Sequence, residues 1–128
     1  MLEPIDDMPP GTAGFRATGE VTRDEYENVL LPWMRRAVDS GEPIRLLFQM
    51  GPGFERFTPG ALATDLTKGA PLGIRHWSSW RRMAVATDVG WARHAIELMG
   101  WTAPGELKLY GVDELDEAKA WLAEPLPG

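Results

Sequence analysis

The chain contains a nearly continuous apolar run, Ile44-Arg45-Leu46-Leu47-Phe48-Gln49-Met50, between Pro43 and Gly51. A strand with one face in water alternates apolar and polar side chains, whereas a strand covered on both faces is apolar almost throughout. The run therefore predicts a central strand that is covered on both faces. The glycines that follow it predict a sharp exit from this strand into a loop over residues 51–57.

The rest of the chain alternates strands with helices. Apolar runs at residues 83–87 and 107–110 predict two more buried strands. Capping residues and apolar stripes at helical spacing predict four helices, at residues 23–39, 58–68, 89–99 and from Asp113 to Pro125. Such alternation is typical of a mainly parallel sheet whose strands are joined by right-handed helical crossovers.

The first predicted helix has two marked features. Thr22 and Glu25 have the spacing of a capping box, in which each side chain satisfies a free backbone N–H of the other residue. Pro32 lies in the interior of the helix, where the missing N–H costs about 3 kcal/mol before compensation. We therefore expect a kink near the middle of this helix.

The N-terminal region predicts a hairpin. Two short strands, at residues 2–8 and 14–21, flank a cluster of turn-forming residues. The sequence leaves open whether this hairpin joins the main sheet or pairs with a second subunit. We expect one α/β domain over residues 1–128, with a single mixed, mainly parallel sheet of about five strands, an N-terminal hairpin and four helices.

Composition excludes several classes of protein. The chain has 128 residues, 44% of them hydrophobic and 25% charged, and no cysteine. A disulfide scaffold, a thiol nucleophile and a thiolate zinc site are therefore excluded. The net charge of -6 argues against a general nucleic-acid binder, and no stretch is apolar enough for a membrane span. The N-terminus lacks the basic and apolar regions of a secretory signal, so we expect a cytoplasmic protein.

The net charge is unevenly distributed. Residues 68–94 contain five basic side chains against the single acid Asp88, whereas residues 1–31 and 95–128 are each strongly acidic. One interpretation places these charges on separate solvated faces. The other is a local site for an anionic group or an acidic partner.

A search for catalytic chemistry finds few candidates. Ser78 and Ser79 follow His76, but no G-x-S-x-G motif exposes a serine, and no glycine-rich phosphate loop is complete. His94 and Glu97 are too few for a closed metal site. We therefore expect no enzymatic activity, no cofactor and no metal. The alternative is a small enzyme that uses His76 or His94 as general base, with a carboxylate such as Asp88 or Glu97 as its partner.

Two groups of residues are candidates for binding a ligand or a partner. Gly51, Gly53 and Phe54 follow the carboxyl end of the central strand, where open α/β sheets tend to place ligand sites. The second group interleaves aromatic and basic side chains, and it consists of Arg75, His76, Trp77, Trp80 and Arg81. Such a mixture suits an anionic amphiphile, a lipid head group or an acidic protein surface. Packing of both tryptophan rings under the preceding segment is the alternative.

Trp91 and Leu98 lie about 100° to one side of the apolar stripe of the predicted helix 89–99. A single contact with the sheet would not cover both side chains. We favour a neighbouring helix as their cover. A homodimer or partner surface is the alternative, because large exposed aromatic side chains are enriched at interfaces.

Several stretches closely resemble the SpoIIAA-like family of small bacterial proteins. They are Val21-Thr22-Arg23-Asp24-Glu25-Tyr26, Ile44-Arg45-Leu46-Leu47-Phe48, Gly51-Pro52-Gly53-Phe54, Ala84-Val85-Ala86-Thr87-Asp88, Trp91, His94, Pro104-Gly105-Glu106 and Leu115-Asp116-Glu117-Ala118-Lys119-Ala120-Trp121-Leu122. The resemblance covers essentially the whole chain. It implies a STAS-like fold, related in shape to CRAL-TRIO lipid-transfer domains, with about five strands and helices grouped largely on one face.

The resemblance leaves function open, because the family has no settled biochemical activity. STAS domains that antagonise anti-sigma factors carry a phosphorylatable serine at the start of the helix after the central strand. The comparable helix here starts at Thr58-Pro59-Gly60 without an Asp-Ser pair, so we do not expect a phosphorylation switch of that type. We expect a non-enzymatic binding or regulatory module that recognises a protein partner or a small apolar or anionic, lipid-like ligand.

Overall fold

The fold is built on a five-stranded sheet in the order β1-β2-β3-β4-β5. The computed structural model describes residues 1–69, 71, 77–99 and 105–126. The strands are β1 (Leu2–Pro4), β2 (Ala13–Val21), β3 (Ile44–Phe57), β4 (Trp80–Thr87) and β5 (Glu106–Tyr110). β1 is antiparallel to β2, and every other neighbouring pair is parallel. The predicted mixed, mainly parallel sheet is therefore confirmed, and the N-terminal hairpin joins the main sheet.

In the described part of the chain, four helices pack on this sheet. α1 has three consecutive parts, Arg23–Glu25, a π-helical turn Tyr26–Leu30 and Leu31–Asp39; α2 runs over Pro59–Thr64 and a second π-helical turn Asp65–Gly69; α3 is Gly90–Met99 and α4 is Leu115–Ala123. A short 3-10 turn, Trp77–Ser79, precedes β4. The fold class predicted from the pattern of strands and helices is confirmed.

Both faces of β3 are buried, as its apolar run predicts. Leu46 and Phe48 belong to a cluster with α1 and α2, whereas Leu47, with none of its surface exposed, belongs to a second cluster with α4. Successive side chains of a strand point to opposite faces, so this alternation defines two layers. α1, α2 and α3 lie on one face and α4 on the other, so the helices are grouped largely on one face.

β3 does not end where the sequence predicted. The predicted loop over residues 51–57 is wrong, because β3 continues to Phe57 and still pairs with β2, with Val21 opposite Phe57. Gly51 and Gly53 adopt φ values of 107° and 88°, which glycine reaches without steric cost. The glycines therefore redirect the strand and shift its register instead of ending its pairing.

α1 begins with the predicted capping box, and its interior contains a π-helical turn near Pro32. The capping box is formed, since the Glu25 N–H donates to the Thr22 hydroxyl and the Thr22 N–H donates to the Glu25 carboxylate. A π-helical turn lies directly before Pro32, and in it the N–H of Leu31 donates to the carbonyl of Tyr26. The proline then occupies the first turn of the following α-helical part, where its missing N–H has little effect.

Candidate functional site

A large apolar pocket lies between the sheet and helices α1, α2 and α3, and we call it the sheet–helix pocket. Its volume is about 460 Å³. Its described lining consists of Tyr26, Leu30, Met34, Leu46, Phe48, Met50, Phe57, Ala61, Leu62, Asp65, Trp80, Met83, Val85, Ala95, Ile96 and Leu107. The lining residues belong to strands β3, β4 and β5 and to helices α1, α2 and α3.

The floor of the pocket is apolar because of strand periodicity. Leu46, Phe48 and Met50 are alternate residues of β3, so they share the face that carries α1 and α2. Met83 and Val85 continue the same face on β4. The run that predicts a doubly covered strand thus also makes one wall of the pocket apolar.

Among its described lining residues the pocket has one polar pair, Tyr26 on α1 and Asp65 on α2. The Tyr26 hydroxyl donates a hydrogen bond to Oδ1 of Asp65. Burial, followed by the hydrogen bond to Asp65 and its negative charge, raises the pKa of Tyr26 far above its ordinary value. The hydroxyl therefore stays protonated. Gly69 permits this approach, since a side chain at Gly69 would collide with the Tyr26 hydroxyl.

Two of the basic residues of the middle segment, Arg82 and Arg93, bind groups inside the fold. The Arg82 guanidinium donates to the carbonyl of Trp121 at 2.9 Å. Arg93 donates to the carbonyls of Thr87 and Tyr110 at 2.8 and 3.2 Å. These two arginines therefore bind backbone carbonyls and do not converge on an anion site.

The residues of the predicted binding groups fall in different parts of the fold. Trp80 lines the sheet–helix pocket, and its neighbour Arg81 is half-buried on β4. Phe54 follows Gly53 on the continued part of β3 and is buried. Its ring centroid lies 5.4 Å from that of Phe57. Arg75, His76 and the side chain of Trp77 lie outside the described residues, so the structure does not test whether the second group acts together.

Trp91 and Leu98 are exposed on α3, at 54% and 61%. The expectation that a neighbouring helix covers them is wrong for both residues. One side of the Trp91 ring contacts the ring of Phe54, with 5.8 Å between ring centroids, and the rest is exposed to solvent. The homodimer alternative is not tested by one chain and stays a prediction.

The catalytic alternative receives no support from His94. The His94 side chain is exposed, and within the described ranges it makes no hydrogen bond to Asp88 or Glu97. Among the residues that the structure describes, no three His, Asp or Glu side chains come together as a metal site would require. His76 lies outside the described residues.

Sequence reasoning missed the sheet–helix pocket and its polar pair. Tyr26 lies on the apolar stripe of α1, where it is indistinguishable from an ordinary core residue. Asp65 lies 39 positions later, and no local pattern joins the two.

None of the described helices has the length and hydropathy needed to cross a membrane.

Comparison with known proteins identifies the fold independently. A model of the SpoIIAA-like family matches residues 12–123. Among solved structures, the chain is similar to an uncharacterized protein from the DUF3478 family with a SpoIIAA-like fold from Shewanella loihica PV-4. The two share 22% identity over 95% of this chain and 93% of that chain, with a TM-score of 0.72. At this identity the likeness shows the fold alone. No curated protein matches the chain.

Proposed function

The chain belongs to the SpoIIAA-like family, and we propose that it is a non-enzymatic binding module that holds a small apolar, lipid-like molecule in the sheet–helix pocket. The observation that carries this proposal is the pocket itself. Ligand sites typically measure roughly 300–1,000 Å³ and are mostly apolar with a few polar groups. The volume of about 460 Å³ and the single polar pair fit that description.

The expected affinity follows from the apolar lining. Burial of a ten-carbon chain would gain roughly 8 kcal/mol, at about 0.8 kcal/mol for each CH2. The loss of translational and rotational freedom offsets at least about 4 kcal/mol of this gain. The net gain is then at most about 4 kcal/mol, so we expect a dissociation constant of about 1 mM or weaker.

The experiment is a titration with N-phenyl-1-naphthylamine, a neutral dye that fluoresces in apolar surroundings. Two exposed alanines provide matched variants: Ala95 lines the pocket from α3, whereas Ala63 lies on α2 and is not part of the lining. We expect the wild type and Ala63→Phe to bind the dye alike. Ala95→Phe should bind it about 10-fold more weakly, because the new ring occupies the pocket.

Two results would contradict the proposal. One is the absence of any fluorescence increase with the folded wild type. The other is equal binding by Ala95→Phe and Ala63→Phe, which would place the dye on another surface. Val85→Phe gives a second test from the floor of the pocket, since Val85 lies on β4 beneath the proposed ligand. Its folding is checked by thermal denaturation.

A further inference from the structure

Among the described lining residues of the sheet–helix pocket, the polar groups can accept hydrogen bonds but have no free donor. Among the described lining residues, Tyr26 and Asp65 are the ones whose side chains contain oxygen. The hydrogen of the Tyr26 hydroxyl is already directed to Oδ1 of Asp65. The Tyr26 oxygen and Oδ2 of Asp65 therefore remain as acceptors.

A third polar group of the lining does not change this balance. The indole nitrogen of Trp80 is completely covered by protein and, among the described residues, has no hydrogen-bond partner. Because it is covered, it presents no donor to a ligand in the pocket. Its ring contributes apolar surface, next to that of Trp33 at 6.5 Å between centroids.

Two positive charges of the described residues near this pair, those of Lys68 and Arg23, are already paired. Lys68 follows Asp65 by one turn of α2, but its Nζ lies 3.4 Å from Oε1 of Glu27. Arg23 contacts the same carboxylate at 3.1 Å. Within the described residues, Asp65 forms no ion pair. An anionic head group would thus face the negative charge of Asp65, because both of these cations are already paired with Glu27.

Resting on the proposed function, we infer that the pocket selects ligands whose head group donates hydrogen bonds, a hydroxyl or an ammonium, and rejects carboxylates. The donor group binds the free oxygen of Asp65, and the apolar chain lies along β3 and β4. The oxygens of a ligand carboxylate can only accept hydrogen bonds, as can the free oxygens of Asp65 and Tyr26, so no hydrogen bond would form between them. An unmade hydrogen bond in a buried site costs about 1–3 kcal/mol. This preference differs from the anionic group that one interpretation of the basic middle segment offers.

The experiment compares three ligands with the same chain length, decan-1-ol, decan-1-amine and decanoate, by displacement of N-phenyl-1-naphthylamine at pH 7. We expect the alcohol and the amine to displace the dye at concentrations about 10-fold lower than decanoate. The neutral alcohol is essential, because it separates hydrogen bonding from attraction of the amine to an acidic protein. In Asp65→Asn the side-chain amide supplies donors, so decanoate should gain about 10-fold and the advantage of the amine should disappear.

Two variants control for other effects. Asp39→Asn removes the same charge from an exposed position of α1 outside the lining and should leave the order of the three ligands unchanged. Tyr26→Phe removes the donor to Oδ1 of Asp65, so both oxygens of Asp65 become free acceptors and the advantage of the alcohol and the amine over decanoate should increase, a test that does not depend on the folding of Asp65→Asn.

The outcomes separate the two proposals. Dye binding that Ala95→Phe weakens, combined with decanoate displacing the dye as well as decan-1-ol does, would overturn the head-group inference and leave the pocket function standing. An equal loss of amine binding in Asp39→Asn and Asp65→Asn would also overturn it, because net charge would then explain the preference. Absence of dye binding by the wild type would overturn the proposed function itself.

Discussion

Arg82 lies on β4 and binds backbone carbonyls at the carboxyl end of α4. Its side chain is only 8% exposed, and Nη1 donates to the carbonyls of Trp121 and Glu124 at 2.9 and 3.0 Å. Arg45 donates to the carbonyl of Leu122 at 3.0 Å. The last carbonyls of a helix have no partner within the helix, and positive charge is favourable there. Two basic residues of the sheet thus attach α4 to its face.

The first prediction concerns this arginine. Arg82→Leu should lower the free energy of unfolding by about 1–3 kcal/mol, because the carbonyls of Trp121 and Glu124 lose their shortest hydrogen bonds and keep only those from the Glu124 N–H at 3.3 Å and from Arg45 at 3.4 Å. Urea denaturation followed by far-UV circular dichroism measures the change. The neighbour Arg81 is half-buried, and no hydrogen bond of its side chain is found within the described ranges, so Arg81→Leu should cost less than about 1 kcal/mol. Equal losses in the two variants would disprove the role assigned to Arg82.

At the scale of secondary structure, α1 shows how the chain accommodates a proline inside a long helical stretch. In a continuous α-helix the N–H of residue 32 would donate to the carbonyl of Asn28, and the proline ring would clash with that carbonyl. The π-helical turn Tyr26–Leu30 widens the backbone directly before Pro32. Because the next part of α1 begins at Leu31, the proline lies where helices tolerate it.

The second prediction follows from this arrangement. Pro32→Ala should change the free energy of unfolding by less than about 1 kcal/mol, since the cost of an interior proline has been removed by the π-helical turn. Urea denaturation of the wild type and the variant tests it. A gain in stability near 3 kcal/mol would show that the helix is strained at Pro32, as the sequence alone had predicted.

For the molecule as a whole, the two faces of the sheet are covered unequally. Of the described helices, α4 alone packs on one face, while α1, α2 and α3 share the other and enclose the sheet–helix pocket. Exposed apolar side chains lie on the two helices that flank this pocket, namely Leu62 and Leu66 on α2 and Trp91 and Leu98 on α3. This surface keeps the homodimer hypothesis open.

The third prediction tests that hypothesis. We expect a dimer mass in light scattering at high protein concentration, with Trp91 and Leu98 in the interface, because burial of large apolar side chains favours association. Trp91→Asp should return the protein to a monomer. The polar neighbour His94 is exposed on the same helix, and His94→Ala should not. A monomer mass of the wild type at every concentration would rule out the dimer.

Much of the fold could be predicted from local patterns. The spacing of apolar side chains predicts the strands at 44–50, 83–87 and 107–110 and all four helices, since it determines which faces an element can bury. The prediction of a loop at 51–57 was wrong because the glycines there fit two different local structures. Glycine at positive φ is compatible both with the end of a strand and with a redirected strand, and only pairing with β2 distinguishes them.

The candidate site could not be predicted in this way. Trp80, which the sequence named as a binding candidate, lines the pocket, but the pocket depends on the distance between three helices and the sheet, which no local spacing specifies. Tyr26 and Asp65 meet because α1 packs against α2 across 39 positions of the chain. Local periodicity thus determined the elements and their buried faces, because each face is a property of neighbouring residues. Tertiary packing alone decided the pocket and its polar pair, because both are properties of the space between elements.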